Sequence, residues 1–142
     1  MLRSVPRAVL DTNVLVSGLI SPGGSSARLL IELRAGAFES VVSPLLLAEL
    51  GEVLRREKFR RYVSAVEVDA YLEFIRSESI VLDDPEPSPS TAGADPDDEF
   101  LIDLARSGRV DVLVSGDARV LEWRDRLPVR SPAEFLASLT GP

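Results

Sequence analysis

The sequence contains no histidine and no cysteine, and Lys58 is its only lysine. Without imidazole and thiolate ligands, zinc sites of the usual types are not expected, and Ser-His-Asp and Cys-His catalysis are excluded. The absence of cysteine also rules out a disulfide framework, which favours a reducing cytoplasm as the location of the protein. The polar residue types that remain favour Mg²⁺ or Mn²⁺ held by carboxylate oxygens as the chemistry available to an enzyme.

Long apolar segments are also missing from the sequence. No run approaches the ~20 residues that a membrane span requires, and the apolar stretch before the first acid is too short for a signal peptide. A chain of 142 residues with 45% hydrophobic and 27% charged residues is typical of a globular protein. We therefore expect residues 1–142 to form a single domain with no membrane contact.

The net charge of −7 argues against a surface that binds phosphate everywhere. Charge is unevenly distributed, however: residues 83–99 carry acids and no base, whereas the segment "RREKFRR", residues 55–61, is strongly basic. The basic segment is either a solvated helix end or a ridge that contacts RNA phosphates, with Phe59 or Tyr62 available to stack on a base. The RNA contacts of such a ridge would be Arg55, Arg56, Lys58, Arg60 and Arg61.

Short apolar stretches alternate with segments of helical periodicity along the chain. The strands are expected at 7–10, 38–43, 79–82, 110–115 and 127–130. The helices are expected after a cap at Ser25 or Ser26, at Pro44 after a cap at Ser43, over 65–77, at Pro96 after a cap at Asp95, and over 132–139. This alternation predicts an α/β layer fold with a parallel sheet.

A Pro- and Ser-rich connection spans residues 83–97 inside the expected domain. It is too long for an ordinary connection in a compact domain. The sequence leaves two interpretations open, a lid over the site and an unstructured loop.

The stretch "AVLDTNVLVSGLI", residues 8–20, is an apolar run typical of a buried strand, yet it contains Asp11. A buried carboxylate without a partner costs several kcal/mol. Asp11 ends the first expected strand and Asp117 follows the fourth. Glu49 and Asp98 lie early on helices that are entered from the same edge or from the long connection. Because sites in parallel α/β sheets form at the carboxyl ends of the strands, these acids are expected to converge on one rim.

Clustered acids require a cation. Two carboxylates ~4 Å apart repel by ~4 kcal/mol at an effective dielectric constant of about 20. Several in one cleft would be protonated or splayed apart unless a divalent ion neutralised them. With such an ion, the site could activate water and stabilise charge on a phosphate.

These residues resemble the motifs of the PIN-domain family of metal-dependent ribonucleases. The resemblance rests on four segments in order: Asp11 in "LDTNVLVSG", Glu49 in "SPLLLAEL", Asp98 in "DPDDEFLIDLA" and Asp117 in "VLVSGD". It runs from about residue 7 to residue 136. Within the family, the motifs most resemble those of bacterial PIN proteins grouped as toxins of toxin–antitoxin pairs, and they resemble those of the VapC toxins more distantly.

The resemblance implies a three-layer α/β/α sandwich around a central parallel sheet. It makes Asp11, Glu49, Asp98 and Asp117 the acids of a Mg²⁺ or Mn²⁺ pocket. Asn13 and Ser115 match positions where the family often keeps a polar residue that orients carboxylates or water. Many relatives have threonine at the position of Ser115, and serine preserves the hydroxyl.

The third acidic position is ambiguous because Asp95, Asp97, Asp98 and Asp103 lie close together. Asp98 is favoured, since Ala105 follows it by seven residues, as in the helix pattern of the family. Asp97 is the second choice for a metal ligand.

The resemblance also implies an activity, the hydrolysis of RNA phosphodiester bonds by a metal-dependent endoribonuclease. It implies the toxin of a type II toxin–antitoxin pair, a homodimer that is inhibited by a small cognate antitoxin. Two alternatives stay open: a non-catalytic PIN fold that binds RNA or a partner, and a phosphotransfer domain with Asp11 as nucleophile. The latter is disfavoured because such sites need a lysine late in the chain or a "DxD" motif, and the chain has only Lys58.

Overall fold

Five short strands form one parallel sheet in a computed structural model that describes residues 5–87, 96–125 and 127–140. The strands are β1 (Arg7–Leu10), β2 (Glu39–Val42), β3 (Ser79–Val81), β4 (Val112–Val114) and β5 (Val129–Arg130). Their order across the sheet is β3-β2-β1-β4-β5, and every neighbouring pair is parallel. The prediction of an α/β fold with a parallel sheet is confirmed.

Helices connect the strands and cover both faces of the sheet. The α-helices of the described residues are α1 (Thr12–Ile20), α2 (Ser25–Arg34), α3 (Pro44–Leu54), α4 (Ala65–Ser77), α5 (Pro96–Ser107), α6 (Ala118–Leu121) and α7 (Pro132–Thr140). Short 3-10 helices occupy Glu57–Phe59 and Glu122–Asp125. The connections to β2 and β3 step across the sheet in one direction and those to β4 and β5 in the other, so right-handed crossovers place the two sets of helices on opposite faces.

The core lies between the sheet and the inner faces of the helices. Val9 of β1 and Leu113 of β4 are fully buried, as expected for strands that are covered on both faces. Leu50 of α3 and Ile102 of α5 are equally buried. Burying a side chain of this kind contributes about 1.5–3 kcal/mol, so the ends of the central strands are firmly held.

The first apolar run divides into a strand and a helix. β1 covers 7–10, as predicted, and α1 begins directly after Asp11, so the remainder of the run is helical. Val14, Leu15 and Val16 are consecutive and all buried, so the apolar residues of this helix do not recur at a helical period. A short run of apolar residues does not distinguish a buried helix from a buried strand, and here burial by neighbouring helices selects the helix.

Two of the predicted helix caps lie within the described residues, and one of them is confirmed. Ser43 caps α3 by accepting a hydrogen bond from the backbone N–H of Leu46, as predicted. For α2 the predicted serine cap is wrong, because Gly24 is the N-cap and Ser25 is the first helical residue. Glycine is also a favourable N-cap residue, and the backbone of Gly24 is extended there.

The connection after β3 is described as far as residue 87. Residues 88–95, which include most of the Pro- and Ser-rich segment and the expected cap Asp95, lie outside the described residues. The expectations for that segment, and for a single domain over 1–142, stay predictions.

Within the described ranges, no single helix is long and apolar enough to cross a membrane. α1 and α2 reach the required length and composition only together, and their axes meet at 94°.

Tyr71 fastens α4 to α1. Its phenol is buried and donates a hydrogen bond to the backbone oxygen of Leu15 at 2.5 Å. Burial raises the pKa of Tyr71 well above its ordinary value, so the phenol stays protonated and remains a donor. Tyr71→Phe is expected to lower the free energy of unfolding by about 1 kcal/mol, measured by urea denaturation, with an unchanged m-value. Tyr62→Phe, at an exposed ring, is the control, and an equal loss in both variants would contradict the expectation.

Candidate metal centre

The strand order creates a change of direction between β1 and β4. From β1 the chain proceeds to β2 and β3 on one side, and it later adds β4 and β5 on the other. In parallel α/β sheets a crevice opens where the connections of two adjacent strands diverge in this way, and ligands bind there. Asp11 follows β1 and Asp117 closely follows β4, so the sheet itself brings both acids to this crevice.

Asp11 is fixed by the strand that precedes it and by its neighbour strand. Its backbone N–H donates to the carbonyl of Val114 at 2.9 Å, and its Oδ2 accepts from the Ser115 hydroxyl at 2.7 Å. The residue is only 7% exposed. Burial raises the pKa of Asp11; hydrogen bonds from Ser115 and from the backbone N–H groups of Asn13 and Thr12 oppose this shift, and the negative charge of Asp117 adds to it. The protein alone therefore compensates the charge of Asp11 poorly.

Ser115 joins the two acidic segments. It is fully buried, and its hydroxyl both donates to Asp11 and accepts a hydrogen bond from the backbone N–H of Asp117 at 3.0 Å. A side chain that holds one acid and the backbone of another has the geometry that an orienting residue requires.

Asp117 is the N-cap of α6. Its Oδ1 accepts from the backbone N–H of Arg119 at 2.9 Å, and its Oδ2 pairs with the Arg119 guanidinium at 3.2 Å. These contacts with Arg119 lower the pKa of Asp117. The two acids at the strand ends thus differ in electrostatics, since Asp117 has a cation beside it.

Glu49 reaches the same crevice from α3. Its Oε2 accepts a hydrogen bond from the Thr12 hydroxyl at 3.0 Å. Thr12 is buried at the start of α1, and sequence reasoning did not assign it to the site. The available signal was a hydroxyl residue directly after the first acid in an otherwise apolar run.

Asp98 enters the crevice from the first turn of α5. It is 5% exposed, on the face of the helix that buries Leu101 and Ile102. Asp103 is buried as well, but it does not line the cavity that Asp98 shares with Asp11. The side chain of Asp97 lies outside the described residues, so its ranking below Asp98 stays a prediction.

These four acids line one cavity with a volume of about 260 Å³. Arg119 and the predicted orienting residue Asn13 also border it, and three further lining residues come from the segment after α3. The complete lining is Asp11, Thr12, Asn13, Val16, Glu49, Val53, Arg56, Lys58, Phe59, Asp98, Leu101, Asp117 and Arg119. The cavity therefore combines carboxylates with cationic side chains.

The structure divides the basic segment 55–61 into two groups. Arg56 and Lys58 line the cavity. Arg55 forms an ion pair with α4, Arg60 lines a separate groove, and Arg61 is exposed in the following turn. Of the five, only Arg56 and Lys58 lie at the cavity, and the contact of any of them with RNA stays a prediction.

The donor chemistry of the cavity suits a divalent cation. Its acidic ligands offer only oxygen atoms, which Mg²⁺ and Mn²⁺ prefer, and the buried charge of Asp11 is one that a bound cation would stabilise. Among the described residues, no group of three or more acidic side chains is arranged to hold an ion. Glu49 is held by Thr12 and Asp117 by Arg119 instead. The residues therefore fit such an ion by donor type and by the burial of Asp11 and Asp98, but not by the placement of their side chains.

The family model of the PIN domain matches residues 7–119, a span that contains all four acids of the cavity. The chain belongs to the PIN-domain family. This PIN domain is 26% identical over 144 residues to the uncharacterised protein MJ1680 of Methanocaldococcus jannaschii, and the alignment covers 92% of the chain and 89% of that relative. The resemblance identified from the sequence motifs is confirmed.

Two crystal structures share the fold of this PIN domain. VapBC2 from Rickettsia felis, bound to a DNA fragment from its promoter, superposes with a TM-score of 0.61 at 16% identity, covering 88% of this chain and 98% of that one. PAE2754 from Pyrobaculum aerophilum superposes with a TM-score of 0.65 at 18% identity, covering 95% and 89%. Similarity at these identities concerns the fold, and it confirms the predicted α/β/α architecture. PIN domains are generally nucleases that use divalent metal ions.

Proposed function

We propose that this PIN domain is a metal-dependent endoribonuclease that hydrolyses RNA phosphodiester bonds at its acidic cavity. The main support is that four acids from four separate segments line one cavity at the carboxyl end of the sheet. Clustered carboxylates repel each other and lose hydration when buried, so a fold gains nothing from them as structural residues. Their convergence favours a site that binds a cation.

The roles of the acids follow from how each is held. Asp11, Glu49, Asp98 and Asp117 would hold Mg²⁺ or Mn²⁺. When bound, such an ion lowers the pKa of a water molecule and offsets the negative charge that develops on a phosphate. Asp11 keeps its carboxylate at the cavity because β1 and Ser115 fix it, and Asp117 is positioned by its capping of α6.

The reaction would be an in-line displacement at phosphorus. A bond forms between the water oxygen and phosphorus, and the bond from phosphorus to the 3′ oxygen of the preceding nucleotide breaks. The departing 3′ oxygen takes up a proton, and the attacking water loses one. The products would carry 5′-phosphate and 3′-hydroxyl ends.

Chelation tests the metal requirement. Cleavage of single-stranded RNA by the purified chain is expected to fall below detection in excess EDTA and to return when Mn²⁺ exceeds the chelator. The reason is that, without the ion, the carboxylates of the cavity repel phosphate and no metal lowers the pKa of the attacking water. Gel electrophoresis of end-labelled RNA measures the loss, and digestion with an exonuclease that requires a 5′-phosphate identifies the ends.

Asp98→Asn protein, purified identically, is the control for contaminating nucleases. Cleavage that persists in EDTA, or that is equal in Asp98→Asn, would contradict the proposal. Calorimetric titration with Mn²⁺ separates it from the non-catalytic alternative, which predicts no binding.

The biological role that we propose is the toxin of a type II toxin–antitoxin pair. The protein would act as a homodimer in the cytoplasm and would be inhibited by a small cognate antitoxin. Its support is the fold shared with VapBC2 of Rickettsia felis, which was crystallised on promoter DNA. Induction of the chain in a host that lacks the antitoxin is expected to arrest growth, and Asp11→Asn is the matched control; continued growth with cleaved RNA would contradict the toxin role alone.

A further inference from the structure

One side of the cavity carries the positive charges of Arg56 and Lys58, and this basic wall is not explained by acids that bind a cation. Phe59 lines the cavity beside them. Lys58 and Phe59 belong to the 3-10 helix Glu57–Phe59, and Arg56 directly precedes it. Arg119, which also borders the cavity, already interacts with Asp117. A site that only held a divalent ion would be weakened by nearby positive charges, so Arg56 and Lys58 indicate a second, anionic ligand group.

The basic wall is held in place by local structure. The backbone N–H of Phe59 donates to the carbonyl of Arg56 at 3.0 Å, which closes the 3-10 turn. Phe59 is half-buried and packs against the core. The Lys58 ammonium lies 5.0 Å from the centroid of the Phe59 ring, in a cation–π contact. A long and flexible lysine is therefore restrained at the cavity by a ring that the core fixes.

We propose that Arg56 and Lys58 form a phosphate clamp, which binds a backbone phosphate adjacent to the one being cleaved. This inference rests on the proposed nuclease function, because it takes the acidic side of the cavity as the place of cleavage. Phe59 is a positioning residue for Lys58 rather than a surface for base stacking, since the ammonium already lies over its ring. The substrate class is a polynucleotide with at least two phosphates, and a substrate with one phosphodiester loses the clamp.

Binding of a short fluorescein-labelled single-stranded oligoribonucleotide tests the clamp. Anisotropy is measured in Ca²⁺, with the integrity of the RNA checked on gels. Lys58→Gln is expected to weaken binding roughly tenfold and to reduce the slope of log K against log salt by about 0.7. Arg34→Gln removes the same charge from the exposed end of α2 and is expected to change neither quantity. A loss in Arg34→Gln equal to that in Lys58→Gln would overturn the clamp in favour of general charge attraction.

Substrate length supplies a second test. With Mn²⁺, Lys58→Gln is expected to raise KM for the oligoribonucleotide while leaving kcat unchanged. On a dinucleoside monophosphate, which has a single phosphodiester, the effect of Lys58→Gln on kcat/KM is expected to be much smaller than on the oligoribonucleotide. An equal effect of Lys58→Gln on both substrates would contradict contact with an adjacent phosphate.

The role of Phe59 is separated from stacking by a double-mutant cycle. Phe59→Leu keeps an apolar side chain against the core and is expected to weaken binding in the wild type but not in the Lys58→Gln background. A full additional loss in that background would show base stacking and overturn the positioning role.

Because Lys58 is the only lysine, it can be observed selectively. Reductive methylation with ¹³C-formaldehyde retains its charge and gives one dimethyl-lysine NMR signal. The ring current of Phe59 is expected to shift that signal upfield of its random-coil position. In Phe59→Leu the signal is expected to return to the random-coil position. Addition of the oligoribonucleotide to the wild type is expected to shift it. A chemical shift that does not change when the oligoribonucleotide is added would overturn the clamp, even if the chain cleaves RNA. A Lys58-dependent binder that never cleaves would instead refute the proposed nuclease, and with it a clamp beside the cleaved phosphate, while still showing that Lys58 binds a backbone phosphate.

Discussion

Replacing Asp11 by asparagine is expected to reduce RNA cleavage by at least about a hundredfold while leaving the metal-free protein as stable as the wild type or more stable. The carboxylate is buried, and burial raises the pKa of Asp11, so its ionisation opposes folding. Asparagine has nearly the same shape, and its Oδ1 can still accept the hydrogen bond from Ser115. It removes the buried charge and, with it, an ionised oxygen ligand.

The pH dependence of stability checks the origin of this effect. Because the pKa of Asp11 is raised on folding, its stabilising contribution is present below the pKa of the unfolded chain and is lost as pH rises through the higher folded pKa. In EDTA, thermal denaturation should therefore show Asp11→Asn gaining on the wild type as pH rises through that window, and staying ahead above it. Added Mn²⁺ should raise the Tm of the wild type more than that of the variant.

Asp117→Asn is the matched control of opposite sign. Contacts with Arg119 lower the pKa of Asp117, so this carboxylate contributes stability above its unfolded pKa and loses it as pH falls through the folded pKa. The substitution should therefore not raise the stability of the folded protein at neutral pH, although asparagine remains a good N-cap residue. If Asp11→Asn were the less stable variant of the two in EDTA, the account of a poorly compensated charge would be wrong.

Ser115→Ala is expected to lower kcat about 10- to 100-fold and the free energy of unfolding by about 1–3 kcal/mol. One hydroxyl holds the Asp11 carboxylate and the backbone N–H of Asp117, and both contacts are lost together. Because Ser115 is fully buried, water does not readily replace it. Single-turnover cleavage in saturating Mn²⁺ and urea denaturation measure the two effects.

Ser115→Thr separates orientation from simple packing. It retains the hydroxyl and is expected to recover most of the cleavage rate, even where its extra methyl group costs some stability. A variant with threonine that is as inactive as Ser115→Ala would show that the hydroxyl does not position the acids.

The architecture could be predicted because strong local signals agree with it. Helix α4 spans Ala65–Ser77, the range that its periodicity predicts, since the capping box of Ser64 and Glu67 fixes its start. The strands were recognisable as apolar stretches between these helices: β1 has the predicted bounds, and the other four are shorter in the structure than in the pattern. Helix α1 was not predictable, because its apolar residues follow one another directly instead of recurring at a helical period, and tertiary burial decided its conformation.

The acids of the site were predictable from their positions after strands and on helix faces, and all four line the cavity. The partners that hold them were harder to find. The contact between Thr12 and Glu49 joins α1 to α3, and the contact of Ser115 with Asp11 joins two strands that are far apart in sequence. Such pairs depend on the packing of whole elements, which no local pattern encodes. The division of the basic segment into cavity and surface residues likewise follows from the 3-10 turn at Glu57–Phe59.

The acids and the basic wall are carried by different kinds of structure. Asp11 and Asp117 follow buried strands, where a change of backbone would disturb the core, whereas Lys58 lies in a short connection between two helices. Connections tolerate insertion and replacement far better than strands do. The segment after α3, and with it the proposed phosphate clamp, can therefore change in sequence at less cost to the core than Asp11 and Asp117 can.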